Sequence, residues 1–350
     1  MFRRDLIFGV AATGLFGLLL NPTEAWAKKK ASRPRKGTKS KGKNKIARER
    51  PVAWMKGNLP NVQAAAALAI DLDSGAELYS KKGDAERPIA SISKLAAVLV
   101  AMDKGLRLDD LTTITQTDAD VAKGGAKSRL LTGMTVSNLD LLHAGLLGSD
   151  NRAISALGRS LGLNAADFAK EMTKKAVALG LKHTRFREPT GLSRENVSTP
   201  RETIALLQHA LAHPKLAPVL ARLEYSAHPV SRPPVPYVNT YKPAIRRNAE
   251  ILGGKTGYND FARYCLVIAA RIDGRRTAMV FLGAEGKMTR FGDFARVADW
   301  VVATKPKRKG EAAKPVAVES TIGPAPASAG PDGIATAPLP PPDRPPSATQ

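Results

Sequence analysis

Apolar and polar positions along this chain fall into two rhythms. Residues 65–72 and 76–80 are short apolar runs on either side of Asp73-Ser74-Gly75, a turn-forming triplet, and they predict a strand hairpin. A continuous apolar run then follows Lys94 and stops at Gly105, the pattern of a buried helix with glycine just past its end. From there to residue 222 the helical period dominates. Ser137 and Asp140 form a capping pair, after which Leu139, Leu142, His143 and Leu146 share a face. That helix should end just before Ser149, a second should cover 151–161, and Asn164 should cap a third ending near Gly180. Thr199-Pro200-Arg201-Glu202 combines a capping threonine, proline at the first helical position and a reciprocal glutamate, predicting a helix through Ala212. Residues 225–250 are rich in proline and basic side chains and read as an irregular or hairpin excursion. Strand patterning returns at 251–255, which leads to a turn, and at 262–271 and 277–283 around Asp273-Gly274. A helix over 291–302 closes the pattern, with Phe294, Val297, Trp300 and Val301 at helical spacing.

Strands at both ends with helices between them imply one antiparallel sheet, its outer strands coming from both termini and its faces covered by helices. Composition confines this to the middle of the chain. With 350 residues, 43% of them hydrophobic, one substantial core can form, but the ends differ. Residues 1–27 read as an export signal: Arg3 and Arg4, an apolar stretch over 6–20, and the cleavage pattern Ala25-Trp26-Ala27. The stretch is short for a bilayer span, which favours cleavage over an uncleaved anchor, and the arginine pair also admits a twin-arginine signal.

Residues 28–52 form a basic linker that supplies much of the net charge of +23 and cannot build a core. Behind an export signal it suits an anionic envelope surface, or serves as a solvated spacer, rather than binding nucleic acid. A folded domain over 53–303 is followed by a Pro/Ala-rich, disordered tail over 304–350. Export permits disulfides, yet Cys265 is the single cysteine and lies in an apolar run, as a buried structural thiol would. His209 and His213 stand four apart without a third ligand, so no metal and no other cofactor is expected.

The candidate chemistry begins at Ser91 and Lys94. Three residues is close to one helical turn, so hydroxyl and amine would share a face and could exchange a proton. Ser40 and Lys43 repeat the spacing in the basic linker, where no apolar residues support a helix. Ser91 could also be a helix cap beside a solvated lysine, though the apolar run directly after Lys94 is a poor setting for that. Two further motifs follow: Ser149-Asp150-Asn151 at a helix junction and Lys255-Thr256-Gly257 on a strand. A phosphate loop is excluded at the latter, because Ala249 stands where that loop needs glycine. In this order and these contexts the three motifs match the set found in serine β-lactamases and penicillin-binding proteins.

With these motifs and their flanks, the chain resembles the low-molecular-weight penicillin-binding proteins, the D-alanyl-D-alanine peptidases of bacterial cell-wall metabolism. The flanks are Pro88-Ile89-Ala90 with Leu95, residues 141–151, Phe186-Arg187-Glu188-Pro189-Thr190-Gly191-Leu192, Asn196-Val197-Ser198-Thr199, and Gly254 with Tyr258. The likeness covers about residues 60–303. Residues 188–199, and the lack of a second β-rich domain after 303, look most like the endopeptidase branch, the penicillin-binding protein 7 type. The resemblance implies an α/β (α+β) fold of β-lactamase/transpeptidase type, with a five-stranded antiparallel sheet, covering helices and an all-helical insertion.

It also implies a site. Ser91 would be acylated by a D-alanyl peptide bond of a peptidoglycan stem peptide or, covalently, by a β-lactam. Lys94 can serve as its base only when neutral, which burial and the neighbouring charge of Lys255 would favour. Ser149 would relay a proton to the departing amine, and Asn151 would hold Lys94 and the substrate amide. Lys255 and Thr256 would bind the carboxylate next to the scissile bond, and Gly257 would admit close approach. The backbone N–H groups of Ser91 and Tyr258 would form the oxyanion hole. The enzyme would then be an exported, periplasmic D,D-peptidase. Three alternatives stand beside an endopeptidase: a carboxypeptidase acting on pentapeptides, a β-lactamase, and a non-catalytic wall-binding protein using the basic linker. The β-lactamase needs a water-activating carboxylate, for which Glu188 and Glu195 are available, neither in a recognisable motif.

Overall fold

The structure, a computed structural model, describes residues 53–246 and 248–304. The predicted export signal, the basic linker through residue 52 and the tail beyond 304 lie outside the described residues. Five strands form the central antiparallel sheet: β1 (Ala66–Asp71), β2 (Glu77–Lys81), β3 (Ala249–Asn259), β4 (Arg263–Ile272) and β5 (Arg275–Ala284). Their order across the sheet is β3-β4-β5-β1-β2. The edges thus come from the two ends of the domain, as expected, while β1 and β5 pair in the middle and tie those ends together.

Both faces of this sheet are buried, because successive side chains on a strand point to opposite sides. Leu68, Val267, Ala269 and Val280 enter the larger core with the inserted helices. Ala67, Leu266, Ile268, Met279 and Phe281 enter a second core under the closing helix. The helices run α1 (Lys94–Asp103), α2 (Gln116–Val121), α3 (Asn138–Leu146), α4 (Asn151–Ser160), α5 (Ala165–Ala178), α6 (Pro200–Ala212), α7 (Ala217–Ala221) and α8 (Thr289–Ala303). α1 is the hub: residues 94–101 are all buried, and α3, α4, α5 and α6 pack around it.

Local chemistry explains most of the boundaries. The β1–β2 turn is held by the Asp71 carboxylate, which accepts the N–H groups of Asp73 and Ser74, while Gly75 takes a positive φ. Ser137 and Asp140 cap α3 reciprocally, and Asn164 caps α5. Thr199 caps α6 by accepting from Glu202 N–H, but the reciprocal bond is not made. The Glu202 carboxylate turns instead to His183 N–H and the Thr184 hydroxyl, because a loop from across the fold offers it donors.

The expected turn after Lys255 also fails. β3 continues to Asn259, since residues 255–259 pair with 263–267 of β4, and a bulge near Leu252 absorbs the glycines. The turn lies past Asn259, whose side-chain oxygen accepts from Phe261 and Ala262 N–H. The excursion over 225–250 holds a two-stranded ribbon, Glu224–Ala227 with Val235–Val238. The short helices α2 and α7 were not foreseen.

A buried carboxylate fastens α8 to the entry of the sheet. Asp293 accepts N–H bonds from Gln63 and Ala64, each 2.8 Å, and pairs with Arg296 on its own helix. Both side chains are buried, so removing one partner strands the other charge in the core. Asp293→Ala should lower the unfolding free energy by about 3 kcal/mol, measured by urea denaturation.

Candidate active site

The start of α1 brings the first pair of residues together. Residues Ala90–Ser93 form a 3₁₀ turn leading directly into α1. Ala90 holds φ 48°, a left-handed conformation that is costly for a residue with a Cβ. This turn leaves Ser91 partly open while Lys94, one turn later, is fully buried. The Lys94 ammonium donates to Ser91 Oγ at 2.8 Å, to Asn151 Oδ1 at 2.7 Å and to the Thr190 carbonyl. All three partners are acceptors toward it, which holds the nitrogen on the serine.

Asn151 reaches Lys94 because it begins α4, capped by Asp150. The Asp150 carboxylate also accepts from Ser128 Oγ, Arg129 N–H and the Tyr237 hydroxyl, so one buried acid organises the junction. Ser149, just before it, sits at φ 58°, the second strained non-glycine residue in the site. Gly125 permits the loop above to approach, since a Cβ there would fall 2.2 Å from Asn151 Nδ2.

The third motif lies on β3, the free edge of the sheet. Lys255, also fully buried, donates to Ser149 Oγ and to the Thr256 carbonyl, each at 2.9 Å. Thr256 Oγ1 donates to Thr240 Oγ1 at 2.6 Å. A Cβ on Gly257 would lie 2.7 Å from the Ile89 carbonyl and 3.1 Å from Ser91 N, so only glycine lets the strand touch the serine turn. Tyr258 is half-exposed and stacks on Tyr264, leaving its contribution to the site to the backbone. All the sequence-predicted residues therefore converge on one place.

Electrostatics follow from burial. Desolvation brings the Lys94 amine down to about 7, against the upward pull of the Glu188 and Asp150 carboxylates. Burial, then the charges of Lys94 and Arg290, hold Lys255 well below the usual lysine range. Burial is the main cause for both amines, and repulsion between the two lysines acts in the same direction. An anion docking beside Lys255 would favour its charged form again.

From sequence, the loop over 186–199 carries part of the resemblance and Glu188 is only a candidate water-activating acid; its structural role was not anticipated. Glu188 accepts from the N–H groups of Thr190, Gly191, Leu192 and Ser193, from Thr190 Oγ1 and from Asn196 Nδ2. Asn196 in turn accepts from Arg187 and Glu188 N–H and donates to Ser93 Oγ. Asn259 of β3 donates to the carbonyls of Gly191 and Leu192. The result is a rigid loop that aims the Thr190 carbonyl at Lys94; a main-chain carbonyl leaves no mark in a sequence. Arg290 was also missed. Buried on α8, it donates to the Gly257 and Cys265 carbonyls and stiffens β3 from behind. Cys265 is buried as expected, and burial raises its thiol to about 11.

Comparison with known proteins gives this geometry a setting. Residues 54–286 match the D-alanyl-D-alanine carboxypeptidase family. A D-alanyl-D-alanine endopeptidase of Escherichia coli K12 is 35% identical over 248 residues, covering 70% of this chain and 79% of that protein. One from Pseudomonas aeruginosa is 35% identical over 243 residues, covering 67% and 76%. The fold is that of the Streptomyces K15 DD-transpeptidase, with a TM-score of 0.65 at 26% identity, covering 70% of this chain and 99% of that one.

Gly191 tests the loop. At φ +94°, its added Cβ would lie 2.2 Å from the Ala90 carbonyl, so the loop would have to withdraw from the serine turn. Gly191→Ala should slow covalent labelling by penicillin about 100-fold, with the far-ultraviolet circular dichroism unchanged.

Proposed function

The chain belongs to the D-alanyl-D-alanine carboxypeptidase family and is a serine-type D-Ala-D-Ala peptidase; from that premise we propose that it is an exported endopeptidase that opens D-alanyl cross-links between peptidoglycan stem peptides. The observation that carries the mechanism is the Lys94 amine, 2.8 Å from Ser91 Oγ in a fully buried site. With an amine near 7, a large share of the molecules hold a neutral Lys94 at physiological pH, able to take the serine proton as Ser91 attacks the D-alanyl carbonyl. The tetrahedral oxyanion is received by the N–H groups of Ser91 and Tyr258, at the junction that Gly257 keeps close.

The substrate acid binds at Lys255 and Thr256. By restoring charge to Lys255 it favours the neutral form of Lys94, so binding prepares the base. Ser149, held by Lys255, passes the proton to the departing amine. Water then releases the acyl group from Ser91. A β-lactam follows the same first step and leaves a covalent adduct, because Asp150 and Glu188, the two acids that act on Lys94, are both taken up by hydrogen bonds from their own surroundings. Glu188, one of the two acids considered for activating water, is occupied by six donors of its own neighbourhood. This supports a peptidase over a β-lactamase.

Preference for the cross-link over a terminal D-alanine rests on the two endopeptidase relatives. A cavity of about 160 Å³ beside Ser149, rimmed by Lys127 and Arg129, offers room for a large leaving group bearing its own acid. An envelope location agrees with the family's substrates; among the described residues no helix is long and apolar enough to cross a membrane.

Cross-linked muropeptide dimers should be cleaved faster than pentapeptide monomers, with Ser91→Ala inactive on both. Cleavage of monomers alone would overturn the endopeptidase assignment. The rate of penicillin acylation should rise with pH through about 7 and level off above it, because the reactive lysine is the unprotonated one. Lys94→Arg, which keeps the charge and cannot deprotonate, should abolish labelling at every pH up to 9 or so.

A further inference from the structure

A second hollow lies outside the cluster around Ser91. It is an open groove of about 660 Å³ on the outer side of the Glu188 loop. Phe186 and Val197 are buried and, with Pro88, give it an apolar floor; Phe261 stands at its rim, 58% exposed. Arg187 and Arg194 also line it, and among the described residues no carboxylate pairs with either guanidinium. Arg185 is different, since Glu86 neutralises it at 2.9 Å. Glu195, the one acid in the lining, bonds to none of these arginines.

The groove adjoins the reacting centre along three separate stretches of chain. Pro88 is three residues before Ser91, Arg194 three after Gly191, and Phe261 three after Tyr258. Three residues span at most about 11 Å, less than a short peptide covers. The polarity of β3 then says which part of a substrate arrives there. Lys255 lies at one end of the motif, where the leaving group's acid binds; Tyr258 follows at the carbonyl; Phe261 lies beyond, at the opposite end. A peptide adding to this free edge therefore extends its acyl side toward the groove.

We propose that this groove is a subsite for the acyl-donating stem peptide, in which Arg187 and Arg194 bind a free carboxylate while the apolar floor and Phe261 receive the neighbouring aliphatic chain. It rests on the reading of Ser91 as the acylated residue but not on which leaving group departs. Exposed arginines with no carboxylate partner among the described residues cost little to redirect, and two guanidiniums can clamp one carboxylate with charge-assisted bonds. The groove thereby selects stems that carry an acid before the D-alanine.

Competition against penicillin labelling of Ser91 tests this without requiring turnover. Two peptides ending in D-alanyl-D-alanine are compared, one with free side-chain carboxylates on its acyl side and one with those carboxylates amidated. The acidic peptide should protect Ser91 at about tenfold lower concentration. In the Arg187→Gln/Arg194→Gln variant both peptides should protect like the amidated one, with labelling in their absence unchanged. Equal protection by the two peptides in the wild type, or a preference that persists in the variant, would overturn the subsite. Failure of penicillin to label Ser91 in the wild type would instead sink the acylation mechanism, a separate result read from the same gel.

Discussion

Two lysine side chains share one dry pocket, and the rest of the site is arranged around that fact. An ammonium group removed from water loses its solvation, and two of them close together repel. The protein meets this with acceptors rather than with paired acids: Ser91 Oγ, Asn151 Oδ1 and the Thr190 carbonyl for Lys94, and Ser149 Oγ with the Thr256 carbonyl for Lys255. Neutral acceptors satisfy an amine without forcing it to stay charged. A carboxylate in direct contact with Lys94 would have kept it protonated and useless as a base, so Glu188 and Asp150 act on it only from a distance.

Those two acids serve the architecture instead. Asp150 gathers the loop before α4, the cap of that helix and the Tyr237 hydroxyl, and thereby sets both Ser149 and Asn151. Glu188 gathers the 190–193 backbone and thereby sets the Thr190 carbonyl. Each is a carboxylate one layer behind Lys94, and each spends much of its hydrogen-bonding capacity on main-chain N–H groups that would otherwise be poorly satisfied, with side-chain donors taking the rest. The strained backbone at Ala90 and Ser149 persists because these networks over-determine it.

The free edge of β3 joins the site to the groove beyond it. Arg290 braces that strand from the closing helix, and Asn259 ties its far end to the Glu188 loop. Strand, serine turn and loop consequently form one rigid frame, with Lys255 at one end and, at the other, Arg187 and Arg194, which pair with no carboxylate among the described residues. A linear acidic peptide has a defined direction across such a frame, from which selectivity for both ends of the substrate can arise.

Much of this was legible in the order of residues. Helix α1, its stop at Gly105, the caps at Ser137 and Asn164, and the hairpin at Asp73-Ser74-Gly75 depend on contacts within a few positions, which local pattern reports directly. The three motifs were recognisable for the same reason, each being short and contiguous. What sequence alone could not supply were the features that depend on distant partners. β3 runs on to Asn259 because β4 pairs with it, and Glu202 leaves its own helix cap because residues 183 and 184 come to meet it. Likewise the Thr190 carbonyl accepts from Lys94 because Glu188 and Asn196 hold its loop against α1. Sequence by itself determined which groups could react; only the tertiary structure decided that Lys94 would be dry enough to be neutral, because desolvation belongs to everything packed around a residue and not to its neighbours in the chain.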